Sequence, residues 1–252
     1  MGRIVARVKS GLRSRPEKEP VSKKVLARKS APAKGPKAGK PEGNGRPPRF
    51  SRQDPDVRRQ QIVEAALRCL AKGGFGAFTV SEICAEAGIS HGLINHYFAS
   101  KEELLVTAYR RVTDRLAQWT RATLAKSGRA PADKLRAMVD ASFAEEIFNE
   151  QNLAIWLALW GQVRNHPELR AAHNELYEGY RAVVARQIEA VAAQRRCKVE
   201  AAPLALALTA LIDGLWLEWC LDPKVFSPEE ARQTCYRLLE DRLGPLSSDP
   251  AE

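Results

Sequence analysis

Residues Thr79 to Phe98 read TVSEICAEAGISHGLINHYF, and this run constrains the architecture more tightly than any other part of the chain. Thr79 stands three residues before Glu82, the spacing of a capping box at a helix start. Val80, Ile83, Cys84 and Ala87 then recur at helical spacing. Gly88 can take the positive φ that reverses a chain, and Ser90 is suited to cap a second short helix ending near Phe98. Ile83, Ile89, Leu93 and Phe98 supply an apolar wedge to hold both helices against the segment before them. Two short helices joined at Ala87-Gly88-Ile89 form a helix-turn-helix, whose second helix can lie in a DNA major groove. An ordinary helical corner is the alternative reading of the same turn.

The flanking sequence is helical in both directions. A first helix begins near Asp54–Asp56, with Pro55 placed for its first turn, carries Ile62, Ala65, Ala66, Cys69 and Leu70 on one stripe, and stops at Gly73-Gly74. Ser100 caps a long fourth helix, with Glu102 and Glu103 at its positive end and Leu104, Leu105, Ala108, Val112, Leu116 and Trp119 as its stripe. Pro131 opens a helix expected to reach Asn149, and another spans Asn152 to Arg164. Pro167 opens a long one, and Pro203 opens one that is apolar nearly all round and so must be buried on most sides. Ser227-Pro-Glu-Glu230 caps the last, which ends at Gly244-Pro245. There is no useful strand alternation and no internal repeat. The expected fold is all-α, with nine helices: a helix-turn-helix domain over 54–114, a second helical domain over 115–245, and a short tail, 246–252.

Charge is distributed unevenly. The chain has 252 residues with 40 basic and 30 acidic side chains, a formal charge of +10. The first fifty residues carry 15 of the basic and 3 of the acidic groups, leaving 25 against 27 in the remainder. The excess is therefore a property of residues 1–50, which are rich in Lys, Arg, Pro, Gly and Ala and read as a disordered basic tail. That tail either adds nonspecific attraction to phosphates or is a solvated extension. No uncharged apolar run reaches the ~18–20 residues of a membrane span, and the N-terminus lacks the apolar segment of a secretory signal. The five cysteines are widely spaced, with no CxxC, and read as small buried hydrophobes in a reducing cytoplasm. No metal site and no cofactor are expected. None of the G-x-S-x-G, H-E-x-x-H, P-loop or G-x-G-x-x-G patterns occurs, so an enzyme is not expected.

The run from Thr79 resembles the signature of the TetR family of bacterial transcriptional regulators, T-x-x-x-I-A-x-x-A-G-V-S-x-G-x-L-Y-x-H-F-x-x-K-x-x-L. It agrees at Thr79, Ile83, Ala87, Gly88, Ser90, Gly92, Phe98, Lys101 and Leu104, with Ile89 in place of Val. The resemblance implies a cytoplasmic, nucleoid-associated homodimer that binds double-stranded operator DNA. It implies phosphate contacts from Thr79, Tyr97 and Lys101, and base contacts from His91, Gly92, Asn95 and His96, with Ser90 opening the helix that carries them. Arg58 and Arg59 would add backbone contacts. The chain departs from the family at Asn95, where Tyr is usual, and this departure is similar to the BetI-like subgroup of choline-responsive betaine repressors. Gly88-Ile-Ser-His-Gly-Leu-Ile-Asn-His-Tyr-Phe98, Ala154-Ile-Trp-Leu-Ala-Leu-Trp160 and Leu211-Ile-Asp-Gly-Leu-Trp-Leu217 all resemble segments of that subgroup.

That subgroup implies a small-molecule effector, choline or a related amine, and control of glycine betaine synthesis genes. Quaternary ammonium groups are held over aromatic faces, and Trp156, Trp160, Tyr180 and Trp216 are candidates, with Asp213 as counter-ion. The alternative is that the tryptophans are core or dimer contacts and that Asp213 bonds a neighbouring helix. The last two helices are too apolar for a monomer surface and would pair as a four-helix bundle, with Leu204, Leu208, Leu211, Leu215 and Tyr236 at the seam. Two further readings stay open: a repressor answering an unrelated small molecule, and an architectural DNA-binding protein acting through the basic tail.

Overall fold

Asp54 accepts a hydrogen bond from the Asp56 amide at 3.0 Å and Pro55 fills the first turn, so α1 (Pro55–Gly73) starts where its sequence signals a start. The computed structural model describes residues 54–246; the expected basic tail and residues 247–252 lie outside the described residues. After α1 a single 3-10 turn, Gly74–Ala77, leads into α2 (Val80–Ala87), α3 (His91–Tyr97) and the long α4 (Lys101–Lys126). Then follow α5 (Pro131–Ser142), α6 (Glu150–Val163), α7 (Pro167–Arg195), α8 (Ala201–Leu221) and α9 (Pro228–Leu243). Among the described residues there are nine α-helices and no strand.

Local signals set most of these ends. Ser100 accepts from the Glu103 amide at 3.0 Å, and Ser227 forms a full capping box with Glu230. Gly88 ends α2 in the left-handed region at φ 65. Two expected caps differ. Thr79 accepts from the Glu82 amide at 3.1 Å, but its own amide bonds the Ala77 carbonyl, so only half of a capping box forms. Ser90 stands at the N-cap of α3 and makes no side-chain cap bond.

The α5 helix stops at Ser142, short of the expected Asn149. No Pro or Gly marks this break. Phe143 and Phe148 turn into the core as an edge-on pair with centroids 5.3 Å apart, and Asn149 caps α6 by accepting from the Asn152 amide. Burial of two aromatic rings outweighs continuation of the helix.

One apolar core runs through the described chain, from Ile62, Leu67 and Leu70 of α1, through Phe78, Ile83, Phe98 and Leu105, to Leu159, Val184, Leu208 and Leu239. The expected domain boundary after residue 114 falls inside α4, which crosses it without a break. Two ionic ties fix α4 to α1. Glu64 receives Arg111 at 2.9 Å and Arg115 at 2.5 Å, and Arg59 reaches Glu103 at 2.8 Å. Burial alone would raise the Glu64 carboxyl, but the two guanidiniums hold it below the ordinary range. The α1 helix also packs on α6.

The α8 helix is 21 residues long and by length and composition apolar enough to cross a bilayer. It packs instead between α7, α6 and α9, with Leu204, Leu208, Ile212 and Trp216 turned inward.

Candidate nucleic-acid interface and interior cavity

The α2–α3 pair is anchored by few side chains. Ile83 and Phe98 are buried as the wedge requires, whereas Leu93 is half-exposed and its neighbour Ile94 takes the buried position. A helix of two turns can bury one narrow stripe, and the phase set by Ser90 puts Ile94 on it. The opposite face carries His91, Gly92, Asn95 and His96, all exposed, with Tyr97 half-buried edge-on to His96 at 5.1 Å. Positions i, i+1, i+4 and i+5 share one helical face, so these four project together. Ser81, which sequence reasoning passed over, lies 3.2 Å from His91 Nε2 and ties the start of α3 to α2.

Gly92 is the second residue of α3, in its first turn. A Cβ built there meets nothing within 4 Å, so no neighbour within the described chain requires the missing side chain.

The surrounding cations differ in availability. Lys101 is exposed, its Nζ 4.8 Å from the Phe75 ring centroid and 5.6 Å from that of Phe78. Arg58 bonds Gln61 on its own helix at 2.9 Å. Arg59, expected to contact DNA, is partly exposed and also makes contacts within the chain: it bonds Glu103, joining α1 to α4, and lies 4.4 Å over the Phe98 ring.

Behind the head, α4, α5, α6, α7 and α8 line a half-open cavity of about 580 Å³. Trp156, Tyr177, Tyr180, Asp213 and Trp216 all line it. Trp216 donates its Nε1 proton to the Ser142 carbonyl at 3.1 Å, which fixes the indole. Tyr177 donates to Asp213 Oδ1 at 3.1 Å. Burial pushes the Asp213 carboxyl up to about 6, against the pull of the Tyr177 bond and the charge of Arg181. The cavity thus sets a carboxylate that is costly to ionise among four aromatic rings.

Trp160, expected beside these residues, does not line that cavity. It stands behind Trp156 and Trp216, 5.7 and 6.4 Å away by centroid, and faces a smaller cavity of about 410 Å³ with His173, Tyr177 and Asp213. Its Nε1 is buried without a hydrogen-bond partner. Asp213 thus bonds a neighbouring helix, the alternative expected of it, with Tyr177 of α7 as the partner, whereas sequence reasoning missed the pairing of Tyr109 Oη with His173 Nδ1 at 2.9 Å. The i, i+4 repeat His173–Tyr177–Arg181 was the available signal.

The expected dimer seam needs correction. Leu204, Leu208 and Tyr236 are buried within the chain itself, and Tyr236 donates to Asp140, so they are not free to meet a partner. Leu211 and Leu215 are half-exposed and pack against the same core. The apolar residues that α8 leaves outside are Leu206, Leu217 and Leu221, at 54%, 39% and 67% exposure. With Ala210 and Gly214 they follow helical spacing along one face.

Residues 62–108 match the model for bacterial regulatory proteins of the tetR family, and residues 131–244 match the model for the C-terminal part of BetI-type transcriptional repressors. The transcriptional regulator BetI 1 of Chromohalobacter salexigens is 30% identical over 194 residues, covering 76% of this chain and 93% of that protein. BetI of Stenotrophomonas maltophilia is 31% identical, covering 74% and 93%. Among solved structures, a transcriptional regulator from Pseudomonas aeruginosa superposes with a TM-score of 0.70 at 36% identity, over 77% of this chain and 94% of that one. A regulator from Saccharomonospora viridis, solved in complex with choline, has a TM-score of 0.66 at 24% identity, over 73% and 96%, a likeness of fold.

Proposed function

The chain belongs to the TetR family of bacterial regulators, as a repressor with a BetI-type C-terminal domain and not an enzyme, and from that premise we propose that choline or a closely related quaternary amine releases it from its operator, and that its targets are genes of glycine betaine synthesis. The observation that carries the effector reading is Asp213, a half-buried carboxylate facing a cavity walled by Trp156, Trp216, Tyr177 and Tyr180. Aromatic faces attract a quaternary ammonium at ~0.5–2 kcal/mol each, the upper end applying when water is excluded. A nearby carboxylate answers the charge and rejects neutral isosteres. The S. viridis complex names choline as the first ligand to try.

On the DNA side, His91, Gly92, Asn95 and His96 form the reading face. Asn95 is able to bond adenine bidentately, and the open space at Gly92 lets the helix backbone approach a base edge. Lys101, Tyr97, Thr79, Ser90 and Arg58 are the residues we assign to phosphates. Two α3 helices, one from each protomer, would enter successive turns of the major groove, ~34–36 Å apart. The exposed stripe Leu206–Ala210–Gly214–Leu217–Leu221 is the surface we assign to pairing of the two chains.

Effector binding favours one packing of α5–α8 around the cavity, and α4, tied to α1 through Glu64 and Arg59, carries the change to the head. Fluorescence anisotropy with a labelled promoter fragment tests this. Operator affinity should fall at least tenfold at saturating choline, and an unchanged affinity would remove choline as effector. A cavity of about 580 Å³ lies in the range that accepts drug-sized ligands, so larger quaternary amines are the second reading and belong in the same titration.

A further inference from the structure

Tyr109 is a fully buried phenol on α4, two turns into the helix that begins directly after the DNA-reading segment. A Phe would fill the same space without a polar atom to satisfy. The hydroxyl is paired across helices with His173 Nδ1 on α7, at 2.9 Å. The His173 ring lies against Tyr177, one turn further along α7, with centroids 4.2 Å apart. Tyr177 in turn donates to Asp213 on α8. Burial, and then the charge of Arg181, hold His173 below its usual range, which favours a neutral ring able to accept the Tyr109 proton. Asp213 and Tyr177 line the main cavity, whereas Tyr109 and His173 do not.

We propose that the path Asp213–Tyr177–His173–Tyr109 couples occupancy of the cavity to α4, with Tyr109 and His173 as positioning residues that never touch the ligand. This rests on the effector reading above only for the identity of the ligand. A cation beside Asp213 competes with Tyr177 for the carboxylate and shifts the phenol. Because the Tyr177 ring lies against the imidazole, that shift tilts the group that grips Tyr109. The ionic ties from Arg111, Arg115 and Arg59 make α4 and α1 respond as one body, so a movement at Tyr109 reaches α3.

A second route from the cavity to Tyr109 exists, since Trp156 stands edge-on to its ring at 5.9 Å. Tyr109→Phe keeps that aromatic contact and deletes only the hydroxyl, so it separates the two routes.

Two measurements on the full chain test the proposal. In the first, Tyr109→Phe should melt close to the parent and bind choline, followed by intrinsic tryptophan fluorescence, within about twofold of the parent. Its ratio of operator Kd with and without choline should collapse to a small fraction of the parent ratio, since couplings of this kind span ~5–150-fold. A ratio equal to the parent's overturns the proposal. The second uses no ligand: operator affinity is measured for Asp213→Ala, which removes the acceptor of the Tyr177 bond, for Tyr109→Phe and for the pair. Asp213→Ala should alter operator affinity, and the alteration should vanish in the Tyr109→Phe background. No effect of Asp213→Ala, or effects that simply multiply, overturns the path. If choline leaves the parent's operator affinity unchanged, the effector reading falls, and the ligand-free cycle still decides the coupling.

Discussion

Replacing Asp213 with Asn should make the protein more stable and worse at its task. Burial raises the Asp213 carboxyl from 3.8 to about 6. Each pH unit corresponds to 1.36 kcal/mol, so ionised Asp213 costs the folded chain up to roughly 3 kcal/mol at neutral pH, and about 1–3 kcal/mol once its partial exposure is allowed for. Asn has the same shape, can still accept the Tyr177 proton and carries no charge to desolvate. Thermal melts at pH 7.5 should therefore place Asp213→Asn above the parent by several degrees. Asp213 takes up its proton near pH 6 when folded but only near 3.8 when unfolded. Its penalty is thus full above pH 6 and is relieved as pH falls from about 6 towards 4, so the two melting curves should converge over that window. Cation binding should move the opposite way. A charge pair at 4–5 Å is worth about 3–4 kcal/mol at an effective dielectric of 20. Discounted for the water such a cavity retains, calorimetry should show choline affinity lower by about 10–100-fold in the variant. In the parent it should weaken progressively below pH 6. Equal choline affinity in the two proteins would refute Asp213 as counter-ion. A lower melting temperature for the variant would show that the charged form is needed for folding, and the desolvation argument would fail with it.

Three other outcomes are expected. Gly88→Ala places a side chain at φ 65 with nothing within 4 Å to clash, so its cost is torsional, ~1–2 kcal/mol, read as a melting temperature lower by a few degrees. Asn95→Ala should lose ~1–3 kcal/mol against one base pair of the operator only, whereas Lys101→Ala should weaken all duplexes alike and lower the salt slope by ~1; anisotropy against operator and scrambled DNA at several salt concentrations separates the two. Leu217→Glu, on the exposed stripe of α8, should yield monomers by light scattering while keeping the helical signal, whereas Leu208→Ala, inside the core, should keep the oligomeric state and lose ~2–5 kcal/mol of stability; dimers persisting in the first case would move the pairing surface elsewhere.

Much of the fold could be read from short stretches of chain. A serine or aspartate before an apolar repeat, a proline in a first turn and a glycine able to turn left-handed act within four or five residues. Hence α1 to α4, the turn at Gly88 and the capping box at Ser227 fall where the sequence puts them. The exposed face of α3 was readable for the same reason, since a seven-residue helix with one buried stripe has only one other side.

What needed the tertiary structure involves partners far apart in the chain. Arg59 looks like any surface cation until Glu103 and Phe98 arrive beneath it. The α5 helix ends because two phenylalanines find a core that nothing local announces. The α8 helix is apolar all round, so its composition cannot say which leucines face inward; α7, α6 and α9 bury Leu204 and Leu208 and leave Leu206, Leu217 and Leu221 outside. Asp213 becomes a raised-pKa carboxyl only when the packed helices shield it from water, and Tyr109 becomes a link between helices only when His173, 64 residues away, comes within hydrogen-bond distance. Helix formation depends on neighbours along the chain, whereas burial and charge depend on neighbours in space, and only the packed chain specifies those.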